Sequence, residues 1–191
     1  MAKMTTMAAA VRILESEGVK YIFGIPGAGI LPFYRALKDL GTIKHMVTRH
    51  EESAIHMADG YARALGTVGV CAATSGPGAS NFVTGLYTAQ VDSIPILALT
   101  GQNVRAQLDR EAFQAVNIAE VVKSITKKSY CIKDPAMVPW VFREAFKIMR
   151  EGRPGPVLID LPLDVQKEEI EYDSDADARS EERRVGKECH G

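Results

Sequence analysis

Short apolar runs that alternate with helix-like stretches are the feature that most limits the folds open to this chain. Each run is about five residues long and apolar nearly throughout. Strands of that kind belong to a parallel sheet that helices cover on both faces. The sequence therefore predicts a doubly wound α/β fold with a mainly parallel sheet. The predicted strands are residues 21–23, 43–47, 68–73, 94–100, 130–132 and 157–160.

The intervening stretches have helical spacing and helix end signals. In the first of them, Met7, Val11 and Leu14 recur at helical intervals, with a threonine at the start and Gly18 at the end. The same criteria place the remaining helices between successive strands. The predicted helices are residues 4–18, one that ends near 37, 51–64, 78–89, a short one that ends near 123, and 138–149.

Charge and cysteine content exclude several classes of partner. A formal net charge of -1, from 23 basic and 24 acidic residues, gives no electrostatic footprint for nucleic acid or an anionic membrane. No apolar stretch reaches the ~18 residues of a membrane span. Cys71, Cys131 and Cys189 are far apart and odd in number, which favours reduced thiols. We expect one soluble, cytoplasmic domain that binds small molecules or proteins.

The last residues differ from the rest in composition. From residue 174 onward the chain is mostly charged and small polar, which predicts disorder. Residues 179–189 also resemble a translated sequencing adapter, so a continuation of the gene beyond this chain is expected; a genuine charged tail is the alternative. The predicted organisation is a domain at 1–172 followed by a tail at 173–191.

Glu51 is the leading candidate for chemistry, because it lies where a predicted strand gives way to a helix. Open α/β sheets bind ligands at that edge. Two glycine- and proline-rich turns, residues 24–29 and 74–81, follow other strands and should reach the same edge. Neither turn has the spacing of a dinucleotide or Walker phosphate loop. The alternative is that Glu51 and Glu52 only occupy the first turn of a helix, as acids commonly do.

Several motifs in order make the chain resemble a known family. Over residues 1 to about 172 it is similar to the pyrimidine-binding domain of thiamine-diphosphate enzymes, in the acetolactate synthase and glyoxylate carboligase branch. The motifs are His50–Glu51, 57–63 (MADGYAR), 75–78 (SGPG) with Asn81, 92–95 (DSIP), 100–102 (TGQ), 113–114 (FQ) and 152–157 (GRPGPV).

This resemblance implies a role for each matched residue. Glu51 would be catalytic, sharing a proton with ring nitrogen N1' of the cofactor and so promoting loss of the proton at thiazolium C2. Phe113 and Gln114 would line the substrate region of a neighbouring active site, although Phe113 could equally be a core aromatic. The residues expected around the aminopyrimidine are Pro26, Gly27, Glu51, Gly76, Pro77 and Asn81.

The resemblance also implies parts that this chain lacks. In the family a separate C-terminal domain with a Gly-Asp-Gly motif holds the diphosphate and Mg²⁺, and FAD, where present, lies largely on a central domain. The only Asp-Gly here, Asp59–Gly60, falls inside a predicted helix. We therefore expect no metal ligands in this chain, no turnover by it alone, and a homodimer or homotetramer of the full-length protein.

The substrate is left open between two small 2-oxo acids. Residues 1–4 (MAKM), 32–34 (PFY) and 113–118 (FQAVNI) look most like glyoxylate carboligases, which make tartronate semialdehyde from two glyoxylates. That branch is known for an apolar residue in place of the acid, whereas acetolactate synthases keep the Glu found at position 51. The ranking is acetolactate synthase first and glyoxylate carboligase second, with a non-catalytic, stand-alone binding domain as a further alternative.

Overall fold

The computed structural model describes residues 2–173, so the predicted tail lies outside the described part except for its first residue. Within this part, strands and helices alternate as predicted. The strands are β1 (Ala2–Thr5), β2 (Tyr21–Gly24), β3 (Lys44–Val47), β4 (Gly69–Ala73), β5 (Ile96–Gln102), β6 (Lys128–Cys131), β7 (Val157–Pro162) and β8 (Glu169–Tyr172). The helices are α1 (Thr6–Ser16), α2 (Leu31–Leu40), α3 (Glu51–Leu65), α4 (Pro77–Ser80), α5 (Val83–Asp92), α6 (Ile118–Val121), α7 (Val138–Arg150) and α8 (Leu163–Lys167).

Six of these strands form one parallel sheet in the order β3-β2-β4-β5-β7-β6. The fold class predicted from the apolar runs is therefore confirmed. β4, β5 and β7 are buried along their whole length, as central strands of a covered sheet should be. β3 is an edge strand and is mostly exposed.

Helices cover both faces of the sheet. α1, α2 and α7 pack on one face, where fully buried side chains include Phe33, Phe142 and Phe146. α3, α5 and α6 pack on the other, around Ile55 and Phe82. Burying each such side chain stabilises the fold by roughly 1.5–3 kcal/mol. None of the helices in residues 2–173 is long and apolar enough to cross a bilayer.

Two predicted helix bounds are wrong. Helix one was expected from residue 4, but residues 2–5 form β1, which pairs antiparallel with β8; α1 starts at Thr6, with Thr5 as its N-cap. The helix expected over 78–89 is two helices, α4 and α5, separated at Asn81 and Phe82. Phe82 is fully buried and its N–H bonds to Ala79 O, so tertiary packing sets this break.

The strand order creates a crevice at the carboxyl edge of the sheet. β2 and β4 are neighbours, yet the helix that follows β2 lies on one face and those that follow β4 lie on the other. Chain segments that diverge from adjacent strands leave a gap between them, and this switch point is where doubly wound sheets bind ligands. The two turns singled out in the sequence, 24–29 and 74–81, form the two walls of this gap.

Candidate functional site

Glu51 is the first residue of α3 and its carboxylate points toward the second turn. One oxygen, Oε2, accepts a 2.9 Å hydrogen bond from Asn81 Nδ2. The other, Oε1, lies beside Gly78, where a Cβ atom would be 3.4 Å away. His50 caps the helix by accepting from the Glu52 backbone N–H, and the helix N-terminus favours a negative charge at this position. The site therefore holds an oriented, half-buried carboxylate whose Oε1 accepts no hydrogen bond from the described residues.

The two turns contact each other across the crevice. Thr74 Oγ1 accepts a 3.1 Å hydrogen bond from the backbone N–H of Gly29. A Cβ on Gly27 would lie only 2.5 Å from Thr74 Cβ, so a side chain at Gly27 would force the turns apart. Pro26 and Pro77 are both exposed, on the first and second turn respectively. The predicted residues of both turns thus come to one place.

A tyrosine that the sequence reasoning missed closes the floor of the crevice. The Tyr34 hydroxyl donates to Ala72 O at 3.0 Å, and a Cβ on Gly24 would lie 2.5 Å from that hydroxyl. Burial raises the pKa of Tyr34, and the nearby Cys71 and Glu51 add to the rise, so the phenol stays protonated. Gly24, which directly follows the apolar residues of β2, is the sequence signal that could have indicated a side chain packed this close to the backbone.

A histidine borders the same floor. His45 Nε2 lies 3.2 Å from Gly24 O, and its ring meets Tyr34 edge-on at 4.7 Å. Burial lowers the pKa of His45 although the bond to Gly24 opposes the effect, so the neutral ring is favoured. His45 therefore packs the crevice floor and carries no charge into it at neutral pH.

A long loop, residues 103–117, lies against the second turn. Gly76 is buried with φ +61°, and a Cβ there would lie 2.7 Å from Gln114 Cβ. Gln114 itself has φ 55°, the left-handed region that few side chains adopt. Phe113 is 84% exposed, so the interpretation of Phe113 as a core aromatic is wrong. The structure thus brings Gln114 to Gly76 and leaves Phe113 as an uncovered aromatic beside them.

The described residues offer no ready metal site. Within residues 2–173, no group of three or more His, Cys, Asp or Glu side chains is arranged to hold an ion. Cys71 is buried and Cys131 is half-buried, and both are free thiols. The polar groups that the described residues place at the crevice include the Glu51 carboxylate, the Asn81 amide and the backbone of the turns.

Comparison with known proteins points to one family. Residues 4–121 match the model described as thiamine pyrophosphate enzyme, N-terminal TPP binding domain. The chain is 52% identical over 176 residues to a protein named glyoxylate carboligase from Escherichia coli O157:H7, covering 92% of this chain and 30% of that relative.

Acetolactate synthases are about equally similar. The chain is 52% identical over 165 residues to a probable acetolactate synthase large subunit from Methanocaldococcus jannaschii, covering 86% of this chain and 28% of the relative. It is 49% identical over 173 residues to an acetolactate synthase from Arthrospira platensis, covering 89% and 30%. The chain thus spans about 30% of the length of the curated relatives it matches.

Proposed function

The chain belongs to the thiamine pyrophosphate enzymes as their N-terminal TPP binding domain, and from that premise we propose that it supplies the proton-transferring acid of a 2-oxo acid carboligase. The observation that carries this proposal is the position of Glu51. Its carboxylate lies at the switch-point crevice, with Oε2 held by Asn81 and Oε1 facing the bare backbone of Gly78.

The crevice fits one end of the cofactor. Gly27 and Gly76 let the bordering turns pack closely on Thr74 and Gln114, and a flat ring that enters beside Gly78 would meet Glu51 Oε1, which can bond a ring nitrogen. Pro26 and Pro77 sit on the exposed sides of these turns, where they add apolar surface. Thiamine diphosphate supplies, when bound, the carbon nucleophile that a 2-oxo acid needs in order to lose carbon dioxide.

Glu51 performs the proton step in this proposal. A carboxylate fixed by one hydrogen bond keeps its second oxygen aimed, so it can share a proton with the ring without reorienting. Asn81 fixes the rotamer, and α3 stabilises the charge through its N-terminus. Mg²⁺ and FAD, in this proposal, contact the remainder of the polypeptide.

The substrate class is a small 2-oxo acid, with pyruvate placed first and glyoxylate second. The acid at position 51 supports acetolactate formation, since the glyoxylate branch is known for an apolar residue there. Against that ranking stands the 52% identity to a glyoxylate carboligase over 92% of this chain. Phe113 and Gln114, beside Gly76, are the residues we assign to the substrate side.

A second subunit is the partner we propose for the full-length protein. Tyr87 and Val91, four residues apart on α5, are 59% and 52% exposed, and Met57 on the adjoining α3 is 42% exposed. Exposed large apolar side chains on neighbouring helices often mark a surface that binds another protein. Pairing of two subunits through this surface would cover the side of the crevice that this chain leaves open.

The proposal is tested with the complete polypeptide that contains this chain. Pyruvate and glyoxylate are supplied in parallel with thiamine diphosphate and Mg²⁺, and consumption of each acid is followed. We expect Glu51→Gln to reduce turnover by about 10²–10⁴-fold, the usual contribution of a positioned proton-transferring group. Glu52→Gln, the same change one residue away, is the control and should leave turnover near that of the wild type.

Two results separate the alternatives. Equal turnover in the wild type and Glu51→Gln would overturn the role of Glu51. A complete wild-type protein that binds thiamine diphosphate but consumes neither acid would instead support a stand-alone binding domain.

A further inference from the structure

A buried acid outside the crevice has no part in the proton step. Asp160, on β7, is 1% exposed. Its Oδ1 accepts from the Thr100 hydroxyl at 2.7 Å, and its Oδ2 accepts from Gln102 Nε2 at 2.9 Å. Both donors lie on β5, the neighbouring strand. Burying an ionisable group is costly unless it is hydrogen-bonded, and these two hydrogen bonds offset part of that cost.

The Asp160 side chain holds Gln102 in place through a hydrogen bond. Its amide nitrogen has two hydrogens; one goes to Asp160 and the other to Val116 O at 2.8 Å. Its amide oxygen accepts the backbone N–H of Asn103 at 2.9 Å. Gln102 is 4% exposed; its bond to Asp160 is buried, and its bonds to Val116 and Asn103 are partly buried. One buried side chain therefore ties the first residue of loop 103–117 to a residue near its end.

The tie continues to the tip of the loop. Asn103 Nδ2 donates to Phe113 O at 3.0 Å, and the next residue, Gln114, packs on Gly76 at the second turn. The base of the loop has a separate, more exposed anchor, in which Arg105 binds Asp164 at 2.7 Å and also Glu168. Asp160 and Gln102 thus hold the end of the loop that meets the crevice, and Arg105 holds the other.

We propose that Asp160 is a positioning residue that fixes the Gln102 amide and, through it, holds Phe113 and Gln114 at the substrate side of the crevice. The proposal rests on the proposed function for its consequence in catalysis. The clamp itself, by which we mean the hydrogen bonds of Gln102 to Asp160, Val116 and Asn103, is a property of this chain. The acceptor at position 160 sets which way the Gln102 amide faces. Without the Asp160 acceptor, the Gln102 amide nitrogen loses one of its two partners and is no longer held in the orientation that donates to Val116 O.

The experiment compares four substitutions that act differently on the clamp. Asp160→Leu removes the acceptor. Asp160→Asn keeps an oxygen that can accept from Gln102 while the Thr100 hydroxyl accepts from the new amide, so it should rescue the clamp. Thr100→Val removes only the other hydrogen bond of Asp160 and serves as the matched control. Gln102→Met breaks the clamp from the opposite side if Asp160→Leu fails to fold.

The first readout is hydrogen exchange in the 191-residue chain. In Asp160→Leu or Gln102→Met, the amides of residues 103–117 should exchange about tenfold faster, as expected for the loss of a buried hydrogen bond. Amides in α1 and α7, on the other face of the sheet, should keep their rates. Asp160→Asn and Thr100→Val should resemble the wild type. Equal loop exchange in Asp160→Leu, Gln102→Met and the wild type, or no rescue by Asp160→Asn, would overturn the clamp.

The second readout is steady-state kinetics of the complete polypeptide with the 2-oxo acid that it consumes. Release of a substrate-side loop should raise KM by about tenfold and change kcat much less, because binding is affected more than the proton step. Faster loop exchange with an unchanged KM would overturn the link to substrate. Absence of turnover in the wild type would count against the proposed function alone, since the exchange result would still stand.

Discussion

Asn81 and Glu51, 30 residues apart in sequence, are joined by a hydrogen bond of 2.9 Å between the amide nitrogen and carboxylate oxygen Oε2. The contact exists because the helix that follows β4 breaks at Asn81 and turns that side chain toward α3. It selects which oxygen of Glu51 remains available. In the proposed function, that oxygen is the one that exchanges a proton with the cofactor.

Substitution of Asn81 by Ala should lower turnover of the complete polypeptide by about tenfold or more, because hydrogen bonds to charged groups contribute about 1.5–3 kcal/mol. The fold should change little, since the pair is only partly buried. The measurement is kcat together with a thermal melt. Ser80→Ala is the matched control, since its hydroxyl donates to Pro77 O within its own helix. A melting temperature low enough to explain the whole loss in kcat by unfolding would contradict a role of Asn81 in orienting Glu51.

Replacement of Gly78 by Ala should weaken thiamine diphosphate binding. The new Cβ would lie 2.9 Å from Thr74 Cγ2 and 3.4 Å from Glu51 Oε1, so it would crowd the accessible oxygen. Titration of the complete polypeptide with the cofactor gives the dissociation constant, which we expect to rise by about tenfold, the equivalent of ~1.4 kcal/mol.

The same glycine-to-alanine change at Gly60 provides the control for Gly78. Gly60 lies inside α3, and a Cβ at this position would have no described heavy atom within 4 Å. Alanine there should stabilise the helix by about 1 kcal/mol. Cofactor affinity should stay near the wild-type value. Weakening by both substitutions alike would show that the effect is not specific to the crevice.

Much of the fold was predictable because apolar runs report directly on burial. The buried strands β4, β5 and β7 stand out in sequence, and their alternation with helices fixes a parallel sheet. β1 was missed because its residues are mostly exposed and it forms only through pairing with β8, far away in the chain. Such pairing leaves no local periodicity to detect.

The site was predictable only in part for a similar reason. Glu51 and Asn81 were each placed at the sheet edge, but no proline or glycine marks the helix break that lets them bond directly. Phe82, fully buried, imposes the break through packing. Tyr34 and Asp160 gave no signal of their own, since a lone tyrosine in a helix and a lone acid in a strand depend on tertiary neighbours for their role. The roles assigned to the crevice residues remain predictions.

Alanine at Gly101 should destabilise the fold by about 3 kcal/mol, at the upper end of the usual cost of overpacking. Its Cβ would lie 2.2 Å from Gly29 O and 2.8 Å from Ile30 N, so backbone rather than a flexible side chain would have to move. Urea unfolding of the 191-residue chain measures the change. A cost no larger than that of Gly60→Ala would show that the first turn yields easily at this contact.

The free energy of unfolding should fall as the pH rises from about 4 to about 7 because of Asp160. Burial raises the pKa of Asp160 from 3.8 to about 7, although the hydrogen bonds from Thr100 and Gln102 oppose the rise. Between these values the folded state holds a proton that the unfolded chain releases, so increasing pH favours unfolding, by about 2 to 4 kcal/mol over the whole window. Cys131, paired in register with Asp160, stays neutral there, since burial raises its pKa to about 12.

The measurement for this pH effect is urea unfolding of the wild type and Asp160→Asn at a series of pH values. Groups common to both proteins cancel in the difference, so the stability of the wild type relative to the variant should decline across the window and level off above it. A difference independent of pH would show that Asp160 is ionised throughout.

Lysine at Tyr87 should weaken association of the complete polypeptide by about tenfold or more, because a desolvated charge would replace an aromatic anchor on the surface proposed for the second subunit. Sedimentation at several protein concentrations measures the dissociation constant. Trp140→Lys is the control, because Trp140 is 50% exposed, much like Tyr87 at 59%, but lies on α7 at the opposite face of the sheet. If Trp140→Lys dissociates the protein while Tyr87→Lys does not, the subunits meet through the α7 face. The crevice, bordered by α3, would then have to be complete within one chain.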